Sequence, residues 1–341
     1  MNEVKKYRNI DALRTFGCLA IIAWHVEANM NFNGGGVLQK IIPSFDYLVY
    51  LFMIISGFGM CNGYYHKLKS GTYDLNTFYV NRYKRTVPFF AILIFLDCVI
   101  EFSPEALYEG LMEVTMLFGF LPNNSLNVIG VAWTLGAIFV FYIIFPFTVF
   151  LLYSRRRAIM SFAVSILIMF MCQNYFMTKK FVSDSFVMRH SFLYCLPFFL
   201  MGELIFLYKN EISSVVNKFK WICLFVLLAL TLGYYITPNI WASVDIVVIK
   251  TLMLYSGWLC IALGDENILL SNRVTKHISN ISMEMYLSHM VVFRIIEKTG
   301  VADKISNSFL RYSIVYIALV ILLVTVLTVY KKITSGLFKL R

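Results

Sequence analysis

Apolar runs close to twenty residues long, cut apart by short polar stretches, recur along almost the whole of this chain. A run of that length crosses the ~30 Å hydrocarbon layer of a bilayer as a helix. No single soluble core could absorb them. Hydrophobic residues make up 59% of the 341 and charged residues 14%, against roughly 45–50% and about 25% in soluble domains. In water such a chain would leave far too much apolar surface exposed. The sequence therefore predicts an all-α fold, a polytopic transmembrane helix bundle of about ten spans. The spans fall at about 11–29, 45–64, 85–102, 130–153, 158–177, 190–208, 219–236, 244–263, 279–297 and 310–330. A shorter apolar stretch, 107–121, holds Glu109 and Glu113 and reads as a re-entrant or interfacial segment.

The formal charge of +11 raises the question of nucleic acid, but the basic residues do not form one continuous patch. They cluster in the short segments between apolar runs, as in a membrane protein that marks its cytoplasmic side. With both termini inside, twenty of the 30 Lys and Arg fall on cytoplasmic segments and seven on outer ones. The cytoplasmic set runs from Lys5, Lys6 and Arg8 to Lys339 and Arg341. This alternation supports both the span number and cytoplasmic termini, and it excludes a nucleic-acid partner. The seven cysteines lie within predicted helices without a CxxC pair, so no zinc site or disulfide framework is expected. The first run lacks a small-residue cleavage site and carries Asp11, Arg14 and His25, so it is not expected to be a cleaved signal. No linker or internal repeat divides the chain, and 1–341 reads as a single integral membrane domain with no soluble catalytic extension.

Charged groups inside a span are costly unless they face a partner or a cavity, so they are the first place to look for chemistry. In the first span Asp11 and Arg14 are three residues apart and neighbour each other. Arg14 and His25 are eleven apart, almost three full turns, which puts them on one face about 16 Å apart along the axis. One helix face thus carries a cation near one end and a titratable base deeper in. Read conservatively, Arg14 is a snorkelling residue and His25 a buried imidazole bonded to a neighbouring helix. The ninth span adds Ser279, Ser282, Glu284, Tyr286, Ser288 and His289. Glu203, Asp97, Lys250 and Arg294 are further polar groups within spans and equally suit structural ion pairs. His66, His190 and His277 sit in loops or at span ends and read as structural.

Several segments, taken in order, are similar to those of the acyltransferase-3 family of membrane-bound sugar O-acyltransferases. Arg8-Asn9-Ile10-Asp11-Ala12-Leu13-Arg14 through His25 resembles its first-helix signature, and Phe52-Met53-Ile54-Ile55-Ser56-Gly57-Phe58 its second-helix run that ends in Ser-Gly-Phe. Phe78, Arg82, Arg85 and Pro88 resemble the basic run before the third helix, and Trp133-Thr134-Leu135 with Tyr142 and Pro146 its Trp-x-Leu helix. Pro197 to Gly202 and Ile281-Ser282 through Tyr286-Leu287-Ser288-His289 complete the order, over roughly 8–330. One departure stands out: many members carry a Glu pair after Trp-x-Leu, where this chain has Gly136-Ala137-Ile138-Phe139-Val140. That resembles the branch without the pair, some of whose members modify surface polysaccharides.

The resemblance implies an acyltransferase of the cell membrane, multi-pass. It would move an acyl group, usually acetyl from acetyl-CoA, to a hydroxyl of a cell-surface glycan or lipid-linked sugar, with no metal. Histidine suits the base because it titrates near neutrality, which points to His25 with His289. Arginine suits a polyanionic donor because its planar fork binds phosphate at two points. Arg14, Arg82 and Arg85 would hold the donor, with Ser56 beside its arm, and Asp11, Trp133 and Glu203 in support. Direct transfer and relay through an acyl-enzyme both suit these residues, and the oligomeric state, including a homo-oligomer, stays open. The alternative is a membrane exporter of a polysaccharide or lipid-linked sugar, since many transporters also bury polar residues among ten spans.

Overall fold

The structure is a computed structural model that describes residues 5–30, 32, 35–36, 38–100, 102–120, 128–182, 186–236, 244–267 and 270–339. Arg341, counted above among the cytoplasmic cations, lies outside them. All the regular structure in the described residues is helical. The helices are α1 (Asn9–Met30), α2 (Leu38–Ser44), α3 (Leu48–Lys69), α4 (Leu75–Ile100), α5 (Pro104–Val114), α6 (Trp133–Leu151) and α7 (Arg155–Met171). They continue with α8 (Phe192–Leu207), α9 (Lys209–Lys218), α10 (Lys220–Ile236), α11 (Val244–Ala262), α12 (Arg273–Lys298) and α13 (Ser308–Lys339).

Each of the ten apolar segments expected from sequence falls on a helix. Helix starts follow local chemistry. Ser103 accepts a hydrogen bond from the Ala106 amide at the head of α5, with Pro104 in the first position, and Ser154 does the same for the Arg157 amide of α7. Asn272 accepts from the Val274 and Thr275 amides to open α12, and Thr275 returns a bond in a capping box. The stretch read as re-entrant is α5 followed by a 3₁₀ turn, Leu117–Phe120, which packs against α6.

Among the described residues, four helical stretches are long and apolar enough to cross a membrane: Leu38–Lys69, Gly130–Leu151, Arg155–Phe176 and Ser308–Thr334. α8 with α9 makes a fifth if the 75° bend between them belongs to one crossing. The outward faces fit a membrane solvent. Trp221, Phe225 and Ile222 on α10 and Ile317 and Ile321 on α13 are mostly exposed, a cost in water that lipid removes. The protein is a membrane protein.

The chain forms two compact units. One contains residues 1–7, 49–230 and 239–265, the other 8–48, 231–238 and 266–341. In the first, α7 runs along α8 and ends in a π turn at Cys172–Phe176, while stacked rings fill the interior, Tyr50 on Phe198 at 4.1 Å and Phe141 on Phe199 at 4.6 Å. α3 and α8 cross at two glycines. A Cβ on Gly57 would lie 2.1 Å from the Phe199 carbonyl oxygen, and one on Gly202 would lie 2.0 Å from that of Ile54. Small residues let membrane helices approach closely, so Gly57 is spent on packing against α8.

In the second unit α1, α12 and α13 pack mutually, with α2 against α1. The hydroxyls of Tyr312 and Tyr316 on α13 donate to the Ala23 and Leu19 carbonyls of α1 at 3.1 and 3.2 Å. Phe32 stacks on Tyr312 at 4.4 Å. α12 and α13 are further joined by the Lys331–Glu284 ion pair at 3.1 Å.

Overpacking the glycine crossing should be costly, because the obstruction is backbone. Gly57→Val is expected to lower the thermal midpoint in detergent by the equivalent of about 1–3 kcal/mol or more, measured against Gly63→Val, whose Cβ would meet nothing within 4 Å.

Candidate active site

α1 and α12 lie side by side in parallel, and a ladder of polar contacts sets their register. Asn9 accepts from the Asn267 amide at 3.1 Å, just before α12. The Thr15 hydroxyl donates to the Thr275 carbonyl at 2.8 Å, Ser279 donates to the Asp11 carboxylate at 2.8 Å, and the Cys18 thiol contacts the Ser282 carbonyl at 3.5 Å. The small polar side chains of α12 are what allow this. Ser282 and Ser288 also donate back to the Ser279 and Glu284 carbonyls within the helix, which satisfies them away from water.

The register brings the two intramembrane histidines to one height. The rings of His25 and His289 meet edge to face with centroids 4.7 Å apart. His25 Nδ1 lies 3.0 Å from the Ile21 carbonyl one turn below. A carbonyl only accepts, so Nδ1 carries the hydrogen and Nε2 carries the lone pair. His289 repeats the arrangement, with Nδ1 2.6 Å from the Tyr286 carbonyl. Its ring is fully buried and its Nε2 has no hydrogen-bond partner among the described residues. Trp24 flanks His25 at 4.2 Å. Two imidazoles thus present basic nitrogens from adjoining helices.

Arg14 lies on the same α1 stripe as His25. Between them on that stripe, Cys18 and Ile21 are 0% exposed, while Phe16 on another face is 57% exposed. The stripe therefore turns into the protein. Asp11 joins it through Ser279 rather than by sequence proximity alone.

The remaining expected site residues belong to the other unit. Arg82 sits in an aromatic cage: it donates to the Tyr64 hydroxyl, and its guanidinium lies 5.0, 5.6 and 6.0 Å from the rings of Tyr64, Tyr142 and Phe78. Arg85, one turn on, is exposed and makes no ion pair or hydrogen bond among the described residues. Ser56 is half-buried on α3. Trp133 stacks on His190 at 4.6 Å, with the Arg189 guanidinium 5.5 Å from its ring. Glu203 is fully buried; one oxygen accepts from Thr148 at 2.6 Å and the other has no partner among the described residues.

Sequence reasoning missed the cage and the Trp133–His190 stack. Tyr64 and Tyr142 flank Arg82 from different helices, and His190 read as a span-end residue. His277, also read as structural, does bond Thr328 of α13 at 2.8 Å.

A scan against family models matches residues 7–329 to the acyltransferase-3 model, described as an acyltransferase domain. The chain belongs to the acyltransferase-3 family. Its activity is accordingly acyl transfer. No curated protein and no solved structure matches it. In this family member the Glu-free stretch after Trp133 is occupied by packing, with the Phe118 ring against Gly136.

Thr148→Val should leave the buried Glu203 carboxyl with neither oxygen bonded. The expected loss is about 1–3 kcal/mol of stability, read as a lower thermal midpoint that Thr148→Ser restores.

Proposed function

We propose that this acyltransferase is a multi-pass enzyme of the cell membrane, with about ten spans, cytoplasmic termini and a single membrane domain. It moves an acetyl group from acetyl-CoA to a hydroxyl of a cell-surface glycan or lipid-linked sugar. The observation that carries this reading is the His25–His289 pair, ring against ring, within a chain of this family.

His25 acts as the general base. Its Nδ1–H is held by the Ile21 carbonyl, so Nε2 is the nitrogen that takes the proton of the acceptor hydroxyl. The hydroxyl oxygen attacks the thioester carbonyl carbon, the C–S bond breaks, and the imidazolium returns its proton to the departing CoA thiolate. The products are an ester and a free thiol, so atoms and charge balance. His289 Nε2 supplies a second acceptor beside the first, for a hydroxyl or thiol hydrogen. Arg14 serves the donor's phosphates from the same helix face. In the first unit, Arg82, preorganised by its aromatic cage, and Arg85 are further cations suited to phosphate, and Ser56 is a polar group suited to the donor's arm. Asp11, Trp133 and Glu203 support: Asp11 ties α1 to α12, while Trp133 and Glu203 sit in the packed interior.

Release of CoA thiol by purified protein, in the presence of glycan acceptor, is the direct test; an exporter releases none. His25→Ala is expected to lower acetyl transfer by about 10²–10⁴-fold while folding normally in the membrane. Undiminished transfer by that variant would rule out the base. Arg14→Lys keeps the charge but loses the fork, and is expected to raise the KM for acetyl-CoA about tenfold, near 1.4 kcal/mol. An unchanged KM would remove Arg14 from the donor site.

A further inference from the structure

At the end of the second unit where α1 and α12 both begin, a cleft of about 190 Å³ opens between them. Its walls carry Arg8, Arg273 and Lys276 against a single carboxylate, Asp11. Arg273 and Lys276 read from sequence as ordinary positive-inside residues, and Arg8 heads the first-helix segment.

The charges around the cleft do not cancel. Asp11 is engaged by the Ser279 hydroxyl at 2.8 Å. Arg8 reaches Glu266 at 3.2 Å, but both side chains are more than half exposed, and such a surface pair is worth only about 0–1 kcal/mol. Arg273 and Lys276 have no ionic partner among the described residues. The first amides of α12 are not what recognises a ligand here, because the Asn272 side chain already takes those of Val274 and Thr275 at 2.9 and 3.0 Å. The binding capacity lies in two arginines and one lysine that line the cleft, Arg8 from the residue before α1 and Arg273 and Lys276 from the start of α12. Planar forks plus a point charge suit the several oxygens of a phosphate better than one carboxylate.

We infer that this cleft is a binding site for a phosphate ester or diphosphate group. Two sources carry that chemistry: the phosphates of CoA and a phospholipid headgroup. The first case rests on the donor reading above and extends it. From Thr275 at the cleft to His289 is 14 residues of α12, ~21 Å, so a donor anchored here would need its extended arm to bring the thioester to the histidines. The second case stands independently of that reading.

The test uses the full chain in detergent, wild type and the double variant Arg273→Gln/Lys276→Gln. Both residues are exposed and outside the α1–α12 ladder, so the variant is expected to melt as wild type does; Lys276→Gln alone is the fallback. Calorimetry gives the affinity for CoA and for dephospho-CoA, which lacks the ribose 3′-phosphate. Native mass spectrometry gives retention of phosphatidylglycerol relative to phosphatidylcholine. A loss of CoA affinity of about tenfold or more in the variant places CoA phosphate in the cleft. A smaller loss with dephospho-CoA then identifies the 3′-phosphate as the occupant, and an equal loss identifies the diphosphate. Unchanged CoA affinity with loss of bound phosphatidylglycerol assigns the site to lipid. Equal CoA affinity and equal lipid retention in the two proteins overturns the inference. Binding is read without turnover, so this result and the fate of the His25 base are separable.

Discussion

A polar group shut away from water must find its partner within the protein, and the α1–α12 seam meets that demand with a ladder of bonds. Threonine, serine and cysteine hydroxyls and thiols reach backbone carbonyls across and along the two helices. An unmade bond of this kind costs about 1–3 kcal/mol when buried, so the ladder resists sliding. Its register is what puts His25 against His289. A shift of one residue along α12 would turn His289 by about 100° and break the pair.

Positioning by backbone carbonyls has a chemical consequence. Each histidine donates Nδ1–H to a carbonyl of its own helix, so the tautomer that leaves Nε2 basic is set by the helices themselves. A base prepared in this way spends no further ordering at the moment of reaction. The cations proposed to hold the donor are placed differently. Arg82 is gripped by aromatic faces, which orient a guanidinium without neutralising it. Arg14 shares the interior-facing stripe of α1.

Much of the helical layout was legible in the sequence, because runs of apolar residues mark the lipid-facing and core portions of helices. Their ends were less so. α4 begins at Leu75, ten residues before the expected span, since Asn76, Thr77, Asn81, Arg82 and Lys84 are helical though polar; α12 likewise starts at Arg273, on the cap that Asn272 provides. Apolar runs report burial, and helices continue past it. His25 and His289 were each visible as polar groups out of place, but their contact depends on inter-helix register that one sequence does not encode locally. The Trp133–His190 stack and the Tyr64–Arg82–Tyr142 cage were invisible for the same reason, their members lying 57 and 18 to 78 positions apart. Gly57 is packed against the α8 backbone, and that partner too depends on which helices become neighbours.

The most direct measurement is an experimental structure of the full chain with acetyl-CoA bound. It should find the thioester carbonyl beside the paired imidazoles, with its carbon within ~4 Å of His25 Nε2 or one water away, and the phosphates at the end of α1 that carries Arg14. A donor whose thioester lies remote from both histidines, or an α1 whose Arg14–His25 stripe faces lipid, would contradict the account.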